Sequence, residues 1–485
     1  MEYAALVIVR ARLTSSRLGT SSEELSRDAA TWRGQFDTML GRFGAPFHAA
    51  CAVMACLCAA GPQAAIELGM LPLLVCWVLR LPFVWRGVGR VWVSPVNLAA
   101  VLLLVWMLCA LLWTEKLAGG LRELAYWRWA WLPVALWPVM HLRLLLIGAL
   151  AAGFVAAHVA QVLDAITLAM GEPWFRHPPI PEPLSRVSGW WYQPATGGTM
   201  VAAAVGLHVL PAVLGRSRAR VVASVLLVCG LLGVMATGTR AAMLGSAVML
   251  CGVGSLWVVL AVRGRGGLRR VLVGLAVVGV LGAVVAATPL GGQVQRRVAQ
   301  GATELREAWR GNVQSDMGGR VVALRAAADA AAGHPVRGVG LDGFHHHLRG
   351  FVAREGLALD GWRVQQLATA HNTVAHIAAS LGVVGVVLWG GMCGAIGIGL
   401  FRNAWLYAGL HTELHAGLHA GPRSTEGRLR LVGVRDALGS YHAAPLGAFV
   451  MLMVMSCFDT LHLNSAPACL VSMLAAFAVR GTTER

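Results

Sequence analysis

The sharpest chemical signal in this chain is a His-Asn pair, His371-Asn372, where a long polar stretch turns apolar again. A neutral imidazole can take a proton from a hydroxyl, and a carboxamide beside it can hold a substrate or fix the ring. The ordinary alternative is a helix cap or an interface residue. Two arginines stand in settings that suit an anion. Arg240 ends the cramped turn Thr237-Gly238-Thr239-Arg240, and Arg320 follows Gly318-Gly319. Glycine lets a backbone approach a ligand closely, and a guanidinium fork matches phosphate oxygens. The competing readings are a snorkelling anchor for Arg240 and a solvated loop residue for Arg320. Arg186, in Arg186-Val187-Ser188-Gly189, is a weaker candidate of the same kind. Arg337 lies in the turn-rich stretch Gly333-His334-Pro335-Val336-Arg337-Gly338-Val339-Gly340. That stretch is not a nucleotide loop, because it lacks the strand-to-helix setting and a following lysine.

The histidine clusters carry less. His345-His346-His347 are consecutive, so their side chains diverge, and no zinc-spaced cysteines or carboxylates stand beside them in sequence. His411, His415 and His419 would share one helix face, but their His-Ala-Gly repeat reads as a loose loop. No carboxylate cluster resembles a magnesium site, so the expected catalytic set contains no metal and no cofactor. The ten cysteines all fall in apolar stretches and read as small hydrophobes, not as a disulfide or zinc framework.

These residues need a scaffold, and composition says which. The chain has 485 residues, 57% hydrophobic and only 13% charged, with apolar runs of bilayer length throughout. The class is an all-α polytopic membrane protein, a partner of the lipid bilayer. A formal charge of +17 invites a nucleic-acid partner. Its basic residues lie in short clusters between spans, so no nucleic acid is needed.

Residues 1–42 read as an extra-membrane cytoplasmic arm, a candidate for disorder. Residues 43–288 hold spans one to nine, at 45–60, 63–83, 94–113, 125–140, 144–163, 194–214, 221–237, 241–262 and 271–288. A large loop over 289–367 separates spans nine and ten. Residues 368–480 hold spans ten to twelve, with a polar loop over 402–440, and 481–485 are a cytoplasmic tail. About twelve spans put both termini on one side, and arginine clusters after the even-numbered spans make that side the cytoplasm. The large loop then lies outside, in the periplasm of a Gram-negative cell. It is basic as well, and long loops cross regardless of charge, so its arginines call for another explanation such as an anionic ligand.

The order of these pieces resembles a known family. His371-Asn372, nine residues, Gly382, two residues, Gly385 is similar to the signature of O-antigen ligases, O-antigen polymerases and bacterial O-oligosaccharyltransferases. Three other segments look like that family's arginine turn, its periplasmic arginine with a Pro-x-x-Gly-x-Gly element, and the segment before span six. They are Thr237–Arg240, Gly319-Arg320 with His334–Gly340, and Arg186–Gly189 with Gln193-Pro194. Ala195 departs from the asparagine that many relatives carry there. The resemblance covers about residues 45–480 and implies an inner-membrane, metal-independent glycosyltransferase with its active site on the periplasmic face. Its donor would be a glycan on undecaprenyl diphosphate. Its acceptor would be lipid A-core in a ligase, a glycan repeat in a polymerase, or a protein. Arg240 and Arg320 would hold the diphosphate, and His371 would be the base. Arg186, Asn372 and Arg337 would be further substrate contacts.

A transporter or lipid flippase is the rival from a different class. It is disfavoured because the chain shows no convincing internal repeat and few charges inside spans, Glu67 and Asp459 being the exceptions.

Overall fold

The computed structural model describes residues 32–170, 187–191, 193–215, 217–262, 283, 286–419 and 440–479. Among them there is no strand. Apolar residues all round a helix leave it no aqueous face, so these helices must bury themselves in lipid or in one another. Among the described residues six stretches are long and apolar enough to cross a membrane, and four shorter apolar helices accompany them. The chain is therefore a multi-pass membrane protein.

Helices α1 (Trp32–Cys58) and α2 (Gln63–Trp92) pair across the expected Gly61-Pro62 turn. Residues 32–42, expected in an extra-membrane arm, are the first turns of α1. Helix α3 (Pro95–Ala110) follows, capped by the Ser94 hydroxyl. Span four, expected at 125–140, is not one helix. Residues 111–142 alternate 3₁₀ turns with the short helices α4 (Leu117–Ala125) and α5 (Leu132–Leu136). Pro133 and Pro138 stand at the starts of two of these pieces. Proline lacks the amide donor and crowds the preceding turn, so apolar composition here could not give a continuous helix. Glu67 lies near a span end, as expected of a charge in a membrane protein. It pairs with Arg128 of this broken segment at 2.8 Å.

Helices α6 (Arg143–Ala169), α7 (Pro194–Leu214), α8 (Ser217–Thr237) and α9 (Arg240–Val262) follow. The centre of the bundle is α7, buried along nearly its whole length among α8, α9 and a later helix, α15. Small residues allow this, as they do wherever membrane helices approach closely. Span nine (271–288) lies almost wholly outside the described residues, as do the first 31 residues, the 481–485 tail and most of the 402–440 loop.

The large loop is helical. Its helices are α10 (Pro289–Trp309), α11 (Asp316–Gly333), α12 (Gly343–Arg354) and α13 (Gly361–Gln366). Helices α11, α12 and α13 share an apolar core, in which Val322, Ala326, Ala330, Phe344, Leu348 and Val364 are buried. Helix α14 (Thr373–His419) then enters the bundle, and α15 (Ala444–Ser456) and α16 (Ser465–Val479) complete it. Helix α14 runs through His411 and His415 to His419, where a loose loop was expected.

Helix α14 is broken at Gly382, whose φ of 67° and ψ of −167° are not helical. The break frees backbone groups, and the Pro335–Gly340 turn supplies their partners. Val339 N–H donates to the Ala379 carbonyl at 2.8 Å and Gly340 N–H to Ser380 at 2.9 Å. Val383 N–H, which would have bonded Ala379, donates to Pro335 instead. The Trp106 indole donates to the Leu381 carbonyl at 2.9 Å. The contact admits no side chain. A Cβ on Gly338 would stand 2.4 Å from the Ser380 carbonyl carbon, and one on Gly382 would stand 2.2 Å from the Val336 oxygen. Both glycines also have positive φ, which costs any L-residue. The two glycine motifs read separately from the sequence are thus one interlocked joint.

Candidate functional site

His371 immediately precedes α14, and its backbone is left-handed, with φ of 50°. Outside glycine that conformation is uncommon and costs about 1–3 kcal/mol, and it concentrates at functional sites. The surrounding bonds explain how it is held. Asn372 caps α14, its Oδ1 accepting from Ala375 N–H at 2.9 Å, while its Nδ2 donates to the Cys457 carbonyl. Thr373 Oγ1 donates to the Asp459 carbonyl and accepts from Leu461 N–H. Thr460 donates to Thr369. The connection between α15 and α16 is therefore sewn to the residues on both sides of His371. Asn372 performs the capping and tethering, with both side-chain groups already engaged.

This connection brings Asp459 to His371. Their Oδ1 and Nδ1 atoms are 3.9 Å apart, an ion-pair distance beyond hydrogen-bond range, and the imidazole is about one-quarter exposed, at 24%. Arg320, one turn into α11, donates to the Phe458 carbonyl at 3.4 Å, so it reaches the same connection. Burial pushes the Asp459 carboxyl up, but the His371 ring, the Thr460 N–H and the Arg320 charge outweigh it and hold the group below the usual carboxylate value. Asp459 thus stays ionised, and His371 lies between a fixed anion and solvent. Sequence reasoning saw Asp459 only as a charge among apolar residues.

Arg240 opens α9 and points to α10, not to solvent. Its two terminal nitrogens bond both Glu304 oxygens, at 2.5 and 2.7 Å. Arg297, two turns earlier on α10, is buried and packs over Gly238 of the arginine turn. Its Nη1 bonds Gln300, but its Nε is buried without an acceptor. Burial, and then the Arg240 charge, pull Arg297 below the ordinary guanidinium value, while Glu304 and Asp316 pull it up. The two guanidinium groups are close enough to perturb each other and both feel the Glu304 and Asp316 carboxylates, but only Arg240 is ion-paired to Glu304. Arg297 and Glu304 were missed because nothing local marks them; they are two charges among several on a polar helix.

Helix α10 packs on α11, and α11 on α14, so the Arg240–Arg297 group and the Arg320–Asp459–His371 group share one helical layer. The other expected contacts stand differently. Arg337 is exposed, on the far side of the glycine joint from its buried neighbour Gly338. Arg186 lies outside the described residues, but Ser188 and Gly189 after it donate N–H groups to Asp164, and Val187 donates to the Ala236 carbonyl beside the arginine turn. His346 and His347 diverge as expected, toward Glu115 and Asp329. An apolar cavity lies below the site, lined by Trp127, Thr373, Trp389, Met392, Ser456 and Leu461.

Arranged thus, the site can place a base, an anion that orients it and guanidinium groups beside an apolar cavity, which suits transfer from a lipid carrier with an anionic leaving group. A search of curated proteins found no match to the chain. Residues 225–390 match the O-antigen ligase family. That stretch holds Arg240, Arg297, Arg320, His371 and the break at Gly382, and over it the chain is similar to the O-antigen ligase family.

Proposed function

We propose that this protein transfers a glycan from undecaprenyl diphosphate to an acceptor, acting as an O-antigen ligase with lipid A-core as that acceptor. The observation that carries the reading is the convergence of Arg320, Asp459 and His371 on one short connection, next to an apolar cavity. His371 takes the proton of the acceptor hydroxyl as its oxygen attacks the anomeric carbon. Asp459 stabilises the imidazolium that forms. The bond from the anomeric carbon to the diphosphate oxygen breaks on the opposite face, so the centre inverts. Negative charge then grows on the departing diphosphate, where Arg240, Arg297 and Arg320 oppose it without reorganisation. These guanidinium groups fill the place that a metal ion takes in many diphosphate-cleaving sites, so the chemical step needs none.

The site belongs on the periplasmic face of the inner membrane, where lipid-linked glycans are consumed. Cysteines introduced over 300–366 should react with an impermeant thiol reagent applied from outside. The decisive experiment is purified protein with a lipid-diphosphate glycan and either lipid A-core, a second glycan repeat or a protein acceptor, scored by product mass. Product with lipid A-core alone supports the ligase. Product only with a glycan repeat or a protein assigns the chain to another branch of the same chemistry, and no product with any acceptor overturns the reading.

A further inference from the structure

Buried Glu123 and His376 and half-buried His462 form a cluster that the proposed transfer does not use. Glu123 stands on α4, His376 in the first turn of α14, and His462 in the 3₁₀ turn Leu461–Leu463. One ligand-capable atom of each lies within 4.8 Å of the other two. Glu123 is 8% exposed and His376 only 2%. The His376 Nε2 is 3.4 Å from the Glu123 carboxylate, in contact but off hydrogen-bond geometry. The His376 and His462 rings lie with centroids 5.4 Å apart.

The polar accounting at this cluster does not close. Both ring nitrogens of His376 and the Nδ1 of His462 are shut away from water without a hydrogen-bond partner. A buried polar atom left unmatched costs about 1–3 kcal/mol, and folded proteins keep few of them. Three such nitrogens beside a buried carboxylate ask for an electrophile. The second Glu123 oxygen is already held by the Asp342 N–H, which fixes the carboxylate as outer hydrogen bonds fix metal ligands.

We propose that Glu123, His376 and His462 bind one transition-metal ion of the zinc class as a structural cross-link. Two imidazoles and a carboxylate suit zinc, with water as the fourth ligand. Zinc at ~2.0–2.2 Å from each ligand sets neighbouring ligand atoms ~3.5 Å apart. The Glu123–His376 pair is already at that separation, and a His462 ring nitrogen lies within 4.8 Å of both. The ion would tie the broken 111–142 segment to the start of α14 and to the α15–α16 connection. The last two are the elements that hold His371 and Asp459, so the ion braces the site without entering the reaction.

The test uses the full chain in detergent, purified through an affinity tag without histidine. Mass spectrometry for metals should find about one zinc per chain. A strong chelator should remove it and lower Tm, and zinc chloride should restore Tm. Cobalt(II) in its place should give the intense visible bands of a tetrahedral site. Glu123→Gln and His462→Gln should lose the metal. Alanine at His345, His346 and His347, or at His411, His415 and His419, should keep it. Where a cluster variant fails to fold, the cobalt spectrum of the unaltered chain still decides. A metal-free protein whose Tm ignores zinc would overturn the assignment, as would metal kept by His462→Gln and lost from a surface-histidine variant. Turnover by chelated protein below its melting temperature separates this site from the transfer chemistry.

Discussion

Arg240 is already occupied by a carboxylate, so a diphosphate donor must displace Glu304 to reach it. Glu304→Gln tests this. The pair makes two charge-assisted hydrogen bonds, with side chains 33% and 12% exposed for Arg240 and Glu304. A hydrogen bond to a charged group contributes about 1.5–3 kcal/mol, and partial exposure of the arginine pulls the figure to the low end. Glutamine keeps one acceptor and loses the charge, so about 1–2 kcal/mol of competition disappears. At 1.4 kcal/mol per tenfold, the Kd for a short-chain lipid diphosphate should fall by roughly 5- to 30-fold. Isothermal titration of the detergent-solubilised protein reads this directly. Donor affinity that is unchanged or weakened in Glu304→Gln would refute displacement. It would mean that Glu304 aims Arg240 and the two act as one unit.

Three further outcomes follow from the geometry. His371→Ala should abolish turnover and largely preserve donor binding, whereas Arg320→Ala should weaken both; kinetics paired with binding separates the two roles. Asp459 has a depressed carboxyl, so its stabilisation is present above the ordinary carboxylate range and is lost as pH falls through the lower folded value. Asp459→Asn should therefore flatten the acid limb of Tm against pH and slow turnover near neutrality. Gly382→Ala and Gly338→Ala place a methyl group 2.2 and 2.4 Å from opposing backbone. Each should cost at least about 2 kcal/mol through positive φ and the clash together, read as lost monodisperse yield or lower Tm.

The polytopic helical class, the Gly61-Pro62 turn and the arginine turn before α9 were legible because each is written locally, in hydropathy or in turn residues. The broken segment over 111–142 was not, although its prolines stood in view, because apolar composition reads the same for a span and for a buried interrupted element. The polar stretch over 289–367 read as loop apart from a helical-looking Val321 to Ala332, which α11 contains, because α10 carries few apolar residues. In the candidate site, His371, Arg240 and Arg320 were visible by type and spacing. Their partners were not. Asp459 and Glu304 become meaningful only when α15–α16 and α10 arrive from elsewhere in the chain. That Asn372 caps α14 was not legible, because a cap and a ligand donor use the same carboxamide.

The joint at Gly382 also constrains how the protein is made. A helix interrupted inside an apolar span, Thr373–Trp405, carries carbonyls that lipid cannot satisfy, at a cost of several kcal/mol each. Their partners come mostly from Val339 and Gly340, which are synthesised earlier and belong to the extra-membrane layer. The first half of α14 therefore cannot settle as an independent inserted rod. It is completed only when the 335–340 turn is already on its final side of the membrane. Placement of that layer and integration of α14 become one cooperative step, so a chain with its loop held back is left with an unsealed span open to quality-control proteolysis.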